Sequence, residues 1–392
     1  MPQSLSSILG IATRIAQRIG INREPILAKC SPLEAEFRRR LWWSLFIFDT
    51  RIGELADTRT AAICPAWDCK LPLNCNDCDF NPGMKSAPPT QTGVTDALYV
   101  VVRATLAKQV PADFASVGHD GLSQGKTGSD RSQLDQLNSL EKMLNEEYLC
   151  YCNGENPLHF KTLWTTRGLI ARYRLVQAYS DSRKKTFSFA NSNFHAITML
   201  QCDTKVASSP LTKGFSWMTY FHFPLLAYIQ LTHALRRQPF GKHTNHAWET
   251  MSTNFEAHAD RLPGPALMIL AKSVLPAWDA RKSGRDYVEQ MEIPHIVTSI
   301  RRTVGEMDAE KADATSASVS LYTKSYGAPA PVSTTGNGNG VEQRIQSGFV
   351  GPAMMPYVDW TGSEVDLNGF DWAGMDWDMP DAPFYDFSEV VV

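Results

Sequence analysis

The stretch EAEFRRRLWWSLFIFDT, residues 34–50, joins three consecutive arginines and two tryptophans to a run of apolar residues. Ser31 and Pro32 precede it as an N-cap and a first-turn proline, and Glu34 completes a capping box. Residues then recur at three- and four-residue steps, which predicts a helix with one stripe of Leu33, Phe37, Leu41, Ser44, Phe48, Ile52 and Leu55 and a second stripe with Trp42 and Phe46. A helix that is apolar nearly all round is typical of the middle of a bundle.

Two charged residues, Arg38 and Asp49, fall near Trp42 on a second apolar face of this predicted helix. They lie about 16 Å apart along the axis, so they cannot pair with each other. Each needs a partner from another segment, because an unpaired buried charge is costly. We favour a structural role for this stretch over nucleic-acid contact or catalysis, since tryptophans packed between charges indicate burial.

Helical patterns dominate the remainder of the first 306 residues, and convincing alternating strands are absent. One helix has an apolar stripe of Ile8, Ile11, Ala12, Ile15 and Ile19 and ends at Gly20, a C′ glycine. Further helices are predicted over 94–110, 134–148, 158–179, 194–207, 211–237 with a kink before Pro224, 244–261 and 294–306. The predicted fold class is all-α, a multi-helix bundle followed by a disordered linker and an acidic tail.

Charge is distributed unevenly along the chain. Residues 303–392 contain fourteen acidic and three basic residues, whereas the whole chain has a net charge of only −3. We therefore predict three parts: a helical domain over 1–307, a low-complexity linker over 308–348 and an acidic-aromatic segment over 349–392.

The acidic-aromatic segment contains nine acidic residues, nine aromatic residues and no basic residue. Interleaved acids keep the rings from collapsing into a core, which is typical of a disordered activation segment. A solvated tail and a terminal element docked on the body remain alternatives. The candidate activation residues are Trp360, Phe370, Trp372, Trp377, Phe384 and Phe387.

Enzyme and metal chemistry find little support in the sequence. Four close cysteines, Cys64, Cys69, Cys75 and Cys78, are better explained as incidental reduced thiols than as a zinc site. The series His243, His246 and Glu249 lacks metal-helix spacing and indicates a solvated face. We predict no catalytic residue, no metal and no cofactor, and the most apolar run, residues 221–231, is too short to cross a membrane.

Three stretches together resemble the regulatory, or middle homology, domain of fungal zinc binuclear-cluster transcription factors. They are the helix and turn ILGIATRIAQRIGINRE, the helix SPLEAEFRRRLWWSLFIFDT and the segment LPLNCNDCDF. The resemblance assigns a structural motif role to Arg38, Arg39, Arg40, Trp42, Trp43, Asp49, Leu71 and Pro72.

The resemblance implies an all-helical regulatory domain in a nuclear regulator of metabolic or secondary-metabolite genes. It also implies a coactivator as the partner of the acidic tail. The family's six-cysteine DNA-binding cluster has no counterpart here, so we expect no sequence-specific DNA binding by this chain alone. Either the gene product is shortened or a DNA-binding partner subunit supplies that function. A small-molecule-sensing helical protein without transcriptional output is the alternative.

Overall fold

A computed structural model describes most of the first 309 residues, and almost all of the described segments are helical. Within them no strand or bridge occurs, which confirms the all-α prediction. No helix in the described part of the chain combines the length and apolar character needed to cross a bilayer. The described residues are 2–56, 67–109, 130–182, 189–218, 222–241, 243–259, 262, 264–283, 292–307 and 309.

Helices that are one or two positions apart in the chain pack side by side in the domain. The helices are α1 (Pro2–Arg18), α2 (Glu24–Leu27), α3 (Pro32–Ala56), α4 (Leu98–Gln109), α5 (Asp130–Glu147), α6 (Pro157–Ser182), α7 (Phe189–Ser208), α8 (Leu225–Arg237), α9 (Thr244–His258), α10 (Gly264–Ser283) and α11 (295–307). Helix α1 packs on α3, α3 on α4, α4 on α6, α6 on α7, α7 on α8 and α9, and α8 on α10. Short 3₁₀ segments cover Asp77–Asp79, Leu149–Tyr151 and Pro210–Met218.

Helix α1 ends as predicted, at a glycine in the left-handed region. Gly20 has φ 76°, and its N–H donates to the Gln17 carbonyl oxygen at 3.1 Å. The next N–H, that of Ile21, donates to the Ala16 carbonyl oxygen at 3.1 Å, which completes a Schellman motif. A Cβ atom on Gly20 would also clash with the Ile26 side chain. The turn therefore requires glycine for both its backbone conformation and its packing.

The apolar stripe predicted for α1 lies on its exposed side, because its four isoleucines face solvent. Ile8, Ile11, Ile15 and Ile19 are each more than half exposed. The buried face instead contains Leu9 and two smaller residues, Thr13 and Ala16. Small side chains at this face let α1 approach α3 closely, so the bulkier isoleucines lie on the opposite side.

The burial predicted for α3 is wrong in part. Phe37 and Leu41 are 59% and 51% exposed, so the helix is not buried on nearly all sides. Its buried face instead contains Ala35, Glu36, Trp42, Trp43, Asp49 and Ile52. The two indoles bury more apolar surface than Phe37 and Leu41 would, and they determine which face turns inward.

Two further predictions about helices differ from the structure. The described part of residues 211–237 does not form one kinked helix: a 3₁₀ segment ends at Met218, and α8 begins only after Pro224, its N-cap. Helix α10 was not predicted at all. Its Pro276 removes a helical hydrogen bond, but the ring is exposed and the helix continues past it.

Candidate functional site

The tryptophans of the opening stretch form the centre of a buried aromatic group. Trp42 and Trp43 have no exposed surface, and both contact Trp67 edge-on, with ring centroids 5.8 and 5.1 Å apart. The Trp43 Nε1–H donates to the Lys70 carbonyl oxygen at 2.8 Å. Edge-on aromatic pairs contribute roughly 0.5–1.5 kcal/mol each beyond area burial. These contacts attach the coil at residues 67–71 to α3.

Arg39 is neutralised by a carboxylate from α2. Its guanidinium donates to both oxygens of Glu24, with an Nε–Oε2 distance of 3.3 Å. The same carboxylate accepts the Lys70 N–H at 3.2 Å. Burial alone would raise the pKa of Glu24, but the bonds from Arg39 and Lys70 outweigh it and lower that pKa. The carboxylate therefore stays ionised and joins α2, α3 and the coil at one point.

Arg40 lies between two acids. Its Nε donates to Glu36 Oε1 at 3.0 Å, and its NH1 donates to Asp77 Oδ1 at 2.8 Å. Glu36 also accepts the Leu73 N–H at 3.1 Å. Burial raises the pKa of Glu36 and outweighs the opposing effect of Arg40. The bond from Arg40 to Asp77 and the bond from Leu73 to Glu36 therefore connect α3 to the coil after Pro72. Burial of the Glu36 carboxylate opposes this connection, because burial disfavours its charged form.

Arg38 corrects one expectation drawn from the sequence. Its partner is Glu34 on the same helix, at 2.6 Å, rather than a residue of another segment. The i,i+4 spacing places the two side chains together on the helix surface, and the Arg38 side chain is 28% exposed, so it needs no distant partner. Asp49 is buried two turns after Trp42 on α3.

The segment after Lys70 is held by a buried asparagine. Leu71 packs against the tryptophans and Pro72 is buried. The Asn74 side-chain amide donates to the carbonyl oxygens of Gln91 and Gly93, both at 2.8 Å. Its Oδ1 accepts the Thr95 hydroxyl at 2.6 Å. The coil is thereby fixed to the residues that lead into α4. We call α3 residues 36–43, Glu24 and the coil at 67–77 the arginine–tryptophan cluster.

The cysteines near this cluster are poorly suited to metal binding. Burial, and then the charge of Glu24, raise the pKa of Cys69 to about 12, and burial raises the pKa of Cys75. Both thiols stay protonated near neutral pH, whereas metal binding needs the thiolate. Cys78 is exposed, and Cys64 lies outside the described residues. Across the residues that the structure describes, no three potential metal ligands come together.

The other candidate residues do not form a second site within the described part of the chain. His243 is at the N-cap of α9, and His246 and Glu249 are exposed on that helix. The six candidate activation residues between Trp360 and Phe387 lie outside the described residues. Sequence reasoning missed Glu24, the partner of Arg39, because fifteen residues and a turn separate the two.

The arginine–tryptophan cluster is suited to holding segments together and not to binding phosphate. The Arg39 and Arg40 side chains are only 13% and 17% exposed, and both are paired with carboxylates. A phosphate would have to displace Glu24, Glu36 and Asp77 to reach them. Trp42 and Trp43 have no exposed surface, so neither indole is available for stacking on a base.

Comparison with known proteins finds a family whose profile matches the part of the chain that contains this cluster. The profile described as "Fungal specific transcription factor domain" matches residues 2–199, which cover α1 to most of α7. No solved structure matches the chain.

Curated relatives extend the similarity beyond that region. The transcriptional regulator AacuB of Aspergillus aculeatus is 43% identical over 79% of this chain and 44% of its own length. The transcriptional regulator nsrM of Aspergillus novofumigatus is 34% identical over 96% of this chain and 54% of its own. The aurofusarin cluster transcription factor aurR2 of Gibberella zeae is 25% identical over 79% of this chain and 48% of its own length. The chain thus spans about half the length of these relatives. It belongs to the fungal specific transcription factor domain family, the regulatory domain that its arginine–tryptophan motif resembles.

Proposed function

We propose that this chain is a nuclear transcription regulator dedicated to one gene cluster, a cluster for a secondary metabolite. The observation that supports this most is the similarity to nsrM, a transcriptional regulator, along 96% of the chain. Two further relatives are named for the aurofusarin and pyriculol/pyriculariol biosynthesis clusters. Their names do not favour the alternative of a sensor without transcriptional output.

In this proposal the helical body and the acidic tail have separate tasks. The body is the regulatory part, and the arginine–tryptophan cluster makes its first four helices one rigid unit. Residues 349–392 bind a coactivator: acids supply solubility and loose attraction, and the interleaved rings supply apolar surface to bury in a groove.

In this proposal, reading of a DNA sequence falls to a segment or subunit outside these 392 residues. Sequence readout requires an element that enters a groove and side chains that meet base edges. The eight cysteines of the 392 residues do not include the two C-x₂-C-x₆-C sets that form the family's DNA-binding cluster. The basic residues Arg39 and Arg40 are already engaged with acids.

Deletion of the gene, followed by transcript profiling, tests the proposed role. We expect transcripts from one contiguous group of biosynthetic genes to fall together while the rest of the transcriptome changes little. Re-introduction of the intact chain should restore them, and a chain with Trp43→Ala, whose body is destabilised, should restore them less. Unchanged transcripts in the deletion strain under producing conditions would contradict the proposal.

A further inference from the structure

A second feature of the domain, separate from the arginine–tryptophan cluster, is a cavity of about 140 Å³ between α3, α4, α6 and α7. Its walls are mainly apolar and aromatic: Phe46, Ile47, Leu106, Trp164, Leu169 and Met199. A dry cavity of about 150 Å³ accepts a benzene ring in an engineered protein. The space therefore suits a single aromatic ring or an aliphatic group of similar volume.

One wall of this cavity is cationic. Lys161 of α6 is 4% exposed, and its ammonium lies over the rings of Tyr99 and Phe215, 5.4 and 4.8 Å from their centroids. Arg103 of α4 is 8% exposed and lines the same cavity. Among the described residues, no carboxylate lies within ion-pair distance of either side chain. Cation–π contacts offset only part of the cost of burying an ammonium.

The partners of Arg103 are neutral. Its NH1 donates to the Tyr99 hydroxyl at 3.2 Å and to His222 Nε2 at 3.3 Å. Burial, and then the charge of Arg103, lower the pKa of His222 well below its usual value, so the imidazole is uncharged. Burial and Arg103 also lower the pKa of Lys161, to about 8. The two cations thus repel each other across the cavity, and no side chain in the described part of the chain supplies a compensating anion.

The acid that lines the cavity is bound elsewhere. Asp203 Oδ2 contacts His258 Nε2 at 2.5 Å and accepts the Asn254 amide at 2.8 Å, both from α9. It therefore does not neutralise Lys161. A fold selected only for stability would place a methionine or leucine at position 161, because the ammonium costs free energy there.

We propose that this cavity binds a small organic anion, with an apolar ring between the aromatic walls and a carboxylate between Lys161 and Arg103. The anion would supply the missing negative charge, and charge-assisted hydrogen bonds from both side chains would fix its orientation. The site goes beyond the proposed transcriptional role, and binding to it does not depend on that role.

Binding of two matched probes to the purified full chain tests this proposal. 4-Fluorobenzoate and 4-fluorobenzamide have nearly the same shape and differ in charge, and both are followed by ¹⁹F NMR titration. We expect saturable binding of the benzoate and at least about tenfold weaker binding of the benzamide. Lys161→Met should weaken benzoate binding by about tenfold and leave benzamide binding unchanged.

Two further variants separate binding from folding. Lys272→Met, at an exposed lysine of α10, should bind both probes as the natural chain does. Ala107→Phe, on the cavity wall, should abolish binding of both probes by filling the space. Lys161→Met itself should melt at the same temperature as the natural chain or higher, since it removes an uncompensated buried charge.

Several results would overturn the proposal. They are the absence of saturable benzoate binding, equal affinities for the two probes, and benzoate affinity that Lys161→Met leaves unchanged. A lower melting temperature for Lys161→Met would do the same, because Lys161 would then be a stabilising part of the fold.

Discussion

At the scale of single residues, the adjacent tryptophans of α3 are equally buried but differently bonded. Trp43 donates its indole N–H to the Lys70 carbonyl, whereas the buried Trp42 Nε1 has no hydrogen-bond partner among the residues that the structure describes. Replacing either ring by alanine should lower the free energy of unfolding by about 3–5 kcal/mol. Phenylalanine gives the sharper test: Trp43→Phe should cost about 1 kcal/mol more than Trp42→Phe, because only Trp43 loses a hydrogen bond.

Urea denaturation measures this difference, and a third tryptophan provides the control. Trp217 is 64% exposed, so Trp217→Phe should leave the free energy of unfolding nearly unchanged. Equal losses for Trp42→Phe and Trp43→Phe would show that the Lys70 bond contributes nothing to stability.

Lys161 gives the domain a specific pH dependence. Its pKa is about 8 in the folded chain and has an ordinary value of 10.5 when unfolded. Between these values the unfolded chain binds the proton that the folded chain has lost, so this group makes stability rise with pH. Below pH 8 the fold bears the full cost of the buried charge.

We therefore expect the free energies of unfolding of Lys161→Met and of the natural chain to differ by an amount that decreases as pH rises. Lys161→Met should be more stable than the natural chain at neutral pH, and the difference should shrink as pH rises from about 8 towards 10.5. Urea denaturation of both proteins at matched pH values isolates the effect of Lys161, because the two chains differ only at this residue. A difference that is constant over this range would refute the low pKa.

At the scale of elements, two glycines of the N-terminal region make a matched pair. Gly10 lies within α1, and an added Cβ there meets nothing within 4 Å. Gly10→Ala should stabilise the domain by about 0.5–1 kcal/mol through helix propensity. Gly20→Ala should destabilise it by about 1–2 kcal/mol, since φ 76° is strained for any residue with a Cβ. Thermal melts of both variants measure the sign, and two stabilising substitutions would contradict the Schellman turn.

The acidic-aromatic segment is the other element with a direct test. Residues 349–392 fused to an unrelated DNA-binding domain should activate a reporter gene. Changing Trp360, Trp372 and Trp377 together to alanine should remove most of that activity without altering charge, because the rings supply the buried surface. The matched control changes three unbranched apolar residues, Met354, Met355 and Met375, to alanine and should retain most activity. A silent parent fusion, or full activity without the tryptophans, would reject the proposed role.

Sequence patterns identified most helices but not which faces they bury. In α1 the isoleucine spacing predicted a stripe, yet Thr13 and Ala16 face α3 because close helix packing favours small residues over large ones. In α3 the tryptophans, not the regular apolar series, define the inner face. Periodicity measures amphipathic character along one helix, whereas the buried face depends on the shape of the neighbouring helix.

At the scale of the whole molecule, the two sites differ in how far sequence could locate them. The arginine–tryptophan cluster draws on residues 24–77, and its arginines and tryptophans stand in one local motif that the sequence indicates, whereas their partners Glu24 and Asp77 do not. The cationic cavity joins Arg103, Lys161 and His222 from segments far apart in the chain, and no local pattern links them. Arg103 within the apolar run of α4 was the one signal available.

The whole chain should not select a DNA sequence by itself. Its first 302 residues have 35 basic and 27 acidic side chains, a surplus that attracts phosphate weakly and with strong salt dependence. The acidic tail competes for the same basic surface, and the paired Arg39 and Arg40 add nothing to it. Binding-site selection with the purified 392-residue chain at physiological salt should therefore return no consensus, and any retention should vanish as salt rises. A reproducible consensus site would mean that the helical body contains a DNA-reading element, and the proposal that DNA is read by something outside these 392 residues would fall with it.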